Sequence, residues 1–177
     1  AVDIATHEER WSMAGTRSNS AVALVGDLLY IVTPEGTSYA LNAVTGEVVW
    51  QANSGAEAAG APSVADGIAL QNNADQTIHA FDALTGEPLW TFVGGVGGGM
   101  ATPTIAHGVV YATTDGETNQ MFALNATTGE EIWHIDREVG AAFISATATA
   151  NRVYSISEDA VLHAIDASDG SEVWTYQ

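Results

Sequence analysis

Three groups of residues in this chain have types and spacings that invite a chemical reading. The first is "GGVGGGM", residues 94–100, because glycine-rich loops cradle phosphates with bare backbone N–H donors. The spacing does not fit. A G-x-G-x-x-G count from Gly95 needs glycine where Met100 stands, and no helical pattern follows to face an anion. The second group is His7, His79, His107, His134 and His163, none in the H-x-x-x-H or H-E-x-x-H spacing of a metal site. The third is the carboxylates. "DASDG" at 166–170 lacks the alternating oxygen ligands and closing Glu of an EF-hand loop, so a weak surface calcium site is the most it offers. With no cysteine, disulfides and thiolate metal sites are excluded. No Ser-His-Asp set stands out, since each such residue also has a place in a repeat.

That repeat must position everything else. "AVDIATHEERW" at 1–11 returns as "ALNAVTGEVVW" (40–50), "AFDALTGEPLW" (80–90), "ALNATTGEEIW" (123–133) and "AIDASDGSEVW" (164–174). Trp11, Trp50, Trp90, Trp133 and Trp174 are 39, 40, 43 and 41 residues apart, a period typical of propellers and solenoids.

Each unit holds four short runs with strand character, in the second unit "APSV" (61–64), "IALQN" (68–72), "TIHAFD" (77–82) and "EPLWTF" (87–92). Pairs at Gly26-Asp27, Asp66-Gly67, His107-Gly108 and Asn151-Arg152 predict tight turns between the first and second runs. Between the third and fourth, the Asn or Asp at 42, 82, 125 and 166 can bond the turn backbone. Gly46, Gly86, Gly129 and Gly170 take φ values that other residues resist. His7 stands where later copies have glycine, which predicts a relaxed or differently used first turn.

Each unit is therefore a four-stranded antiparallel meander. "YALNA", "HAFDA", "FALNA" and "HAIDA" are apolar on both faces, so both faces must be covered, as radially arranged blades achieve. Ala40, Ala80, Ala123 and Ala164 leave room for a bulky group, for which the tryptophan is the obvious candidate. His79 and His163, at the position of Tyr39 and Phe122, read as packing residues between blades.

The frame resembles the tryptophan-docking motif of the PQQ-like repeat β-propellers, the family of quinoprotein dehydrogenases and BamB-type assembly factors. The resemblance covers nearly the whole chain. It implies an all-β propeller with Trp11, Trp50, Trp90, Trp133 and Trp174 docking blade to blade, and seven or eight blades in the ring. Four blades are expected here, at about 12–53, 54–93, 94–136 and 137–177, with part of a fifth at 1–11, in one propeller region over 1–177. The first copy carries only the third-to-fourth strand portion, while the last unit has its own fourth strand. A segment of a longer propeller, or a half-ring completed by another chain, is therefore favoured over a closed four-bladed ring.

Charge sets the partners. Twenty-two Asp and Glu face four Arg and no lysine, a formal charge of −18. Self-repulsion on that scale is screened within about 3 Å at 1 M salt, so the composition suits a salt-rich medium and resembles halophilic proteins. Nucleic acid is excluded as a partner for want of cations, and no apolar run is long enough for a membrane-spanning helix.

Function is expected in loops least dictated by the repeat: Arg17, Asn19, Glu57, Asn73, Asp75, Gln76, Met100, Glu117, Asn119 and Arg137. The register places second-to-third strand loops and blade-to-blade connectors at one end. The expected role is a non-enzymatic extracellular or cell-surface binding or scaffold module, with no cofactor. One alternative is a segment of a PQQ-dependent dehydrogenase holding PQQ and calcium on the ring axis. However, the vicinal Cys pair of many alcohol-oxidising members is missing. The other is a structural subunit that assembles through blade edges.

Overall fold

A computed structural model describes residues 1–13, 21–94, 101–114, 119–138 and 142–177. Its strands form four antiparallel sheets in simple meander order. Blade 1 is β1 (Ala23–Val25), β2 (Leu28–Val32), β3 (Thr37–Asn42) and β4 (Val48–Asn53). Blade 2 is β5 (Ser63–Ala65), β6 (Ile68–Asn72), β7 (Thr77–Asp82) and β8 (Pro88–Val93). Blade 3 is β9 (Thr104–Ala106), β10 (Val109–Thr113), β11 (Asn119–Asn125) and β12 (Glu131–Arg137). Blade 4 is β13 (Phe143–Ala148), β14 (Arg152–Ser157), β15 (Leu162–Asp166) and β16 (Glu172–Tyr176). The chain is all-β. The first strands β1, β5, β9 and β13 lie side by side, and each sheet stacks on the next.

The turn chemistry explains why the sheets close where they do. Asn42 Oδ1 accepts N–H bonds from Val44 and Thr45, both 2.9 Å, Asp82 and Asn125 repeat the arrangement, and Asp166 Oδ1 accepts from the N–H and the hydroxyl of Ser168. The first copy does the same. Asp3 Oδ1 bonds the N–H groups of Ala5 and Thr6, and His7 adopts φ +59°, close to the +76° of Gly46. Of the two expectations for the His7 turn, relaxed or differently used, the first is corrected: the Asx bonds hold the same loop even with a side chain in the left-handed region. A second correction concerns blade 4, whose first hairpin turns at Ala150-Asn151, one residue earlier than predicted. Thr149 N–H bonds Arg152 O, and Ala148 pairs with Val153.

Cores lie between sheets. Tyr30, Ala40 and Trp50 of blade 1 pack on Ala69 and Ala83 of blade 2. Leu70, Ile78 and Ala80 meet Val110, Ala112, Phe122 and Leu124. Tyr111, Met121, Ala123 and Trp133 meet Phe143, Val153 and Ile165. The residues come from alternate strand positions because successive side chains point to opposite faces. Ala40 stands directly across from Trp50, and Ala80, Ala123 and Ala164 repeat this opposite Trp90, Trp133 and Trp174. A register shift follows each pair. The small methyl beside each indole leaves the ring free to lean toward the next blade.

Candidate binding surface

At one end of the stack, the β2–β3 loop meets the connector from blade 1 to blade 2. Ala58 N–H bonds Pro34 O at 3.0 Å, and Ala74 N–H bonds Glu57 O at 2.8 Å. A shallow pocket of about 160 Å³ opens there, lined by Val32, Thr33, Pro34, Glu57, Ala58, Ala59 and Gly60. Beneath it runs a polar latch. Gln71 accepts from Ser38 Oγ at 2.6 Å and donates to Ser54 Oγ at 2.7 Å, Asn73 Oδ1 at 2.8 Å and Gly36 O at 3.2 Å. A buried amide satisfied on both ends, reaching from blade 2 to three groups of blade 1 and its connector, fixes the relative position of the two sheets. His79 continues the polar line, its ring nitrogens 3.2 Å from Thr77 Oγ1 and Thr91 Oγ1. Burial lowers its pKa below the usual histidine value, against the opposing pull of Asp75.

Blades 3 and 4 are clamped differently. His163, 2% exposed, holds Glu172 Oε2 at 2.8 Å on Nδ1, with Ser157 Oγ at 2.9 Å and Arg137 Nη2 at 3.2 Å on Nε2. The Arg137 guanidinium also lies 5.1 Å from the Phe143 ring centroid. Ser157, His163 and Glu172 thus have the spacing of a serine, base and acid relay. As a nucleophile Ser157 is badly placed, being buried and also bonded to Asp159 and Val161 O. Arg137, moreover, competes for the nitrogen that would take its proton. The arrangement ties the two sheets together.

The far end differs in character. Val25, Leu28, Tyr30, Val49, Val64 and Leu84 line an apolar cleft of about 580 Å³ between blades 1 and 2. Across all three sheet junctions the tryptophans share one geometry. The indole N–H of Trp50 bonds Ala83 O at 2.8 Å, that of Trp90 bonds Ala126 O at 2.9 Å, and that of Trp133 bonds Ala167 O at 3.0 Å. Trp11 reaches Ala43 O at 3.2 Å in the same way. Each ring lies on the turn glycine of the following blade. A Cβ added at Gly46, Gly86 or Gly129 would stand 2.5–2.6 Å from the indole of Trp11, Trp50 or Trp90, and one at Gly170 would stand 2.9 Å from Trp133. The glycine therefore serves the docked ring as well as the turn.

Of the loop residues singled out in the sequence, Glu57 and Asp75 are exposed at the loop end. Asn73, Gln76 and Asn119, also among the candidate binding-loop residues, are buried. Asn73 joins the latch, and Asn119 Nδ2 bonds Glu138 O at 2.9 Å. Arg137 belongs to the blade 3–4 clamp, beside an open pocket of about 340 Å³ lined by Asp136, Glu138 and Asp159. Arg17, Asn19, Met100 and Glu117 lie outside the described residues. Sequence reasoning missed Gln71 and the Ser157–His163 pair. A signal existed: opposite His79 and His163 stand polar Gln71 and Ser155, where the sister blades carry the apolar pairs Ile31–Tyr39 and Ala112–Phe122. Among the described residues no cluster of His, Asp or Glu could hold a metal ion, and no helix is long and apolar enough to cross a membrane.

A family model described as outer membrane protein assembly factor BamB matches residues 1–98 and again residues 74–177. The chain belongs to this BamB family. A BamB from Shewanella oneidensis is 30% identical over 78 residues, covering 44% of this chain and 20% of its own. The BamB of Moraxella catarrhalis superposes with a TM-score of 0.76 at 27% identity, covering 99% of this chain and 53% of that one. The present chain thus spans about half the length of a solved BamB-family structure and a smaller part of the curated relative. A quinohemoprotein alcohol dehydrogenase from Pseudomonas putida HK5 reaches TM-score 0.77 at 17% identity, covering 92% of this chain and 34% of its own, which is a likeness of fold. In BamB-family terms, the described residues provide four sheets with an indole seated on the turn glycine at every junction.

Proposed function

We propose that this BamB-family chain is a non-enzymatic binding or scaffold module that works at the cell surface or outside the cell in a salt-rich medium, its partner a protein held at the loop end. The observation that carries this reading is the latch. Around Gln71 the buried polar groups are spent on joining blades, so the loop end is a rigid platform with Glu57 and Asp75 exposed on its rim. Rigid sheets carrying exposed loops are the arrangement in which loop side chains select a partner. The acidic coat supports the salt-rich setting, since Arg10 and Arg152 are paired with Asp3 and Asp166 and Arg137 is engaged between blades. A photo-crosslinking residue at position 57, in the cells that make the protein, should yield a discrete protein adduct, and the same probe at position 66 should not. Equal labelling from both positions, or none from 57, would overturn the proposal.

The dehydrogenase reading is favoured by likeness of fold alone. Titration with PQQ and calcium in molar salt, read by quinone absorbance in the bound fraction, separates the two. The scaffold reading expects no bound quinone.

A further inference from the structure

Of the eight asparagines in the chain, Asn125 alone has a hydroxyl residue two positions on, in Asn125-Ala126-Thr127, with no proline between. That is the acceptor pattern for an N-linked glycan. Three residues match a pattern by chance often enough that their surroundings must decide. Asn125 opens the β11–β12 turn, at the end of the sheets away from the Glu57 and Asp75 rim, and Thr127 and Thr128 are exposed there.

The turn uses only half of the Asn125 side chain. Oδ1 accepts the N–H groups of Thr127 at 2.9 Å and Thr128 at 3.1 Å, while Nδ2 donates to no group among the described residues. Asp82 makes the same two bonds without an amide nitrogen, so the fold does not need one here. No neighbouring side chain claims the Nδ2 position either. In blade 4 the second oxygen of Asp166 is taken by Arg152, its cross-strand partner, at 2.8 Å. The residue opposite Asn125 is Val109, which packs against the core between blades 3 and 4 instead. The Thr127 hydroxyl is likewise unbonded among the described residues, whereas that of Ser168 donates to Asp166 Oδ1 at 2.7 Å. A spare amide nitrogen and a spare hydroxyl thus share one surface turn.

We propose that Asn125 carries an N-linked glycan, a proposal that rests on the reading of the protein as one that works outside the cell or at its surface. In the transfer, Nδ2 attacks the anomeric carbon of a glycan held as the phosphate ester of a lipid carrier. The C–N bond forms as the C–O bond to phosphate breaks, the phosphate leaves with that electron pair, and the Nδ2 proton passes to a base of the transferring enzyme. An amide nitrogen is a weak nucleophile because its lone pair is delocalised into the carbonyl, so the chain's own part is to present the amide and the hydroxyl together. The product suits the fold. Glycosylated Asn125 keeps Oδ1, so both turn bonds survive, and Trp90 keeps its bond to Ala126 O at 2.9 Å. A glycan at this turn leaves the loop end open to its partner.

The test is mass spectrometry of the peptide that contains Asn125, on protein isolated from the cells that make it, with medium, cell surface and cell interior fractionated first. Asn42 is the internal control, since it makes the same two turn bonds but has Val44 in the place of Thr127. The wild type should carry a glycan mass on Asn125 and none on Asn42. Asn125→Asp and Thr127→Val copy Asp82 and Val44 and so keep the turn, and both should lose the glycan, whereas Thr127→Ser should retain it. Bare Asn125 in protein recovered outside the cell or at its surface overturns the proposal and leaves the surface reading standing. Bare Asn125 in protein confined to the interior overturns both. A glycan that persists in Thr127→Val, or that is equally present on Asn42, overturns the assignment of the site.

Discussion

Trp50 and Trp174 occupy the same place in the repeat, each opposite an alanine and beside a tyrosine, yet one is 7% exposed and the other 45%. The local sheet is the same in both. What differs is the neighbour: Trp50 lies on Gly86 and bonds Ala83 O, whereas no following turn stands over Trp174 among the described residues. Local sequence therefore builds the face and pre-orients the rings, and the following blade completes the burial. In a repeat architecture of this kind stability is a sum of unit and junction terms, so the two tryptophans should make very different contributions.

The largest separation is expected between two truncations. Trp50→Ala should cost about 3–5 kcal/mol of unfolding free energy, as for a buried aromatic, whereas Trp174→Ala should cost about 1 kcal/mol or less. Equilibrium denaturation in molar salt measures both. Similar costs would break the comparison.

The paired turn positions sharpen it. Gly86→Ala forces a methyl to 2.6 Å from the Trp50 ring at φ +74°, so it should cost about 2 kcal/mol or more, the left-handed penalty plus the displaced indole. His7→Gly should stay within about 1 kcal/mol of the wild type, because the same turn there carries no docked ring.

Below these comes the latch. Gln71→Leu removes one side of four hydrogen bonds while keeping the volume, leaving Ser38, Ser54 and Asn73 short of a partner, and should cost about 1–3 kcal/mol. The effect should fall on blades 1 and 2, visible as faster amide exchange in β3 and β6 with β14 and β15 unchanged.

The smallest effect is in the turns. N–H and hydroxyl donors from Thr85 and the N–H of Leu84 hold the Asp82 carboxyl below its ordinary value of 3.8, and Ser168 does the same for Asp166. Because the folded-state value is the lower one, the stability these groups contribute is complete above the ordinary value and disappears as pH falls through the lowered one. Melting in molar salt should drop as pH falls below 3.8. Asp82→Asn, which keeps the acceptor used at Asn42 and Asn125, should make that drop shallower and leave the neutral-pH midpoint unchanged. An identical acid profile would count against the turn bonds.

Much of the fold was legible because the repeat states it several times over. Gly86, Asp82 and the alternating "HAFDA" each carry a local rule, and local rules act within one hairpin. The fourth-blade turn was misplaced by one residue because neither Ala150 nor Asn151 needs a positive φ, so glycine punctuation was missing there. The candidate site was harder to read. Asn73, Gln76 and Asn119 look like loop residues in sequence, yet all three are buried, and Asn73 is tied by Ser54 to the connector from the preceding blade, a contact that spacing does not reveal. At His7 only half of the expectation was legible: the turn is not relaxed, and what sets it apart among the described residues is the indole that the glycine turns of the later copies receive.

The most direct test of the comparison is hydrogen exchange of the five indole N–H groups, resolved by NMR in molar salt. Trp50, Trp90 and Trp133, each bonded to a carbonyl of the next blade, should exchange slowly, and Trp174 should exchange as an exposed indole. Protection of Trp174 equal to that of Trp50 in the monomer would contradict the account.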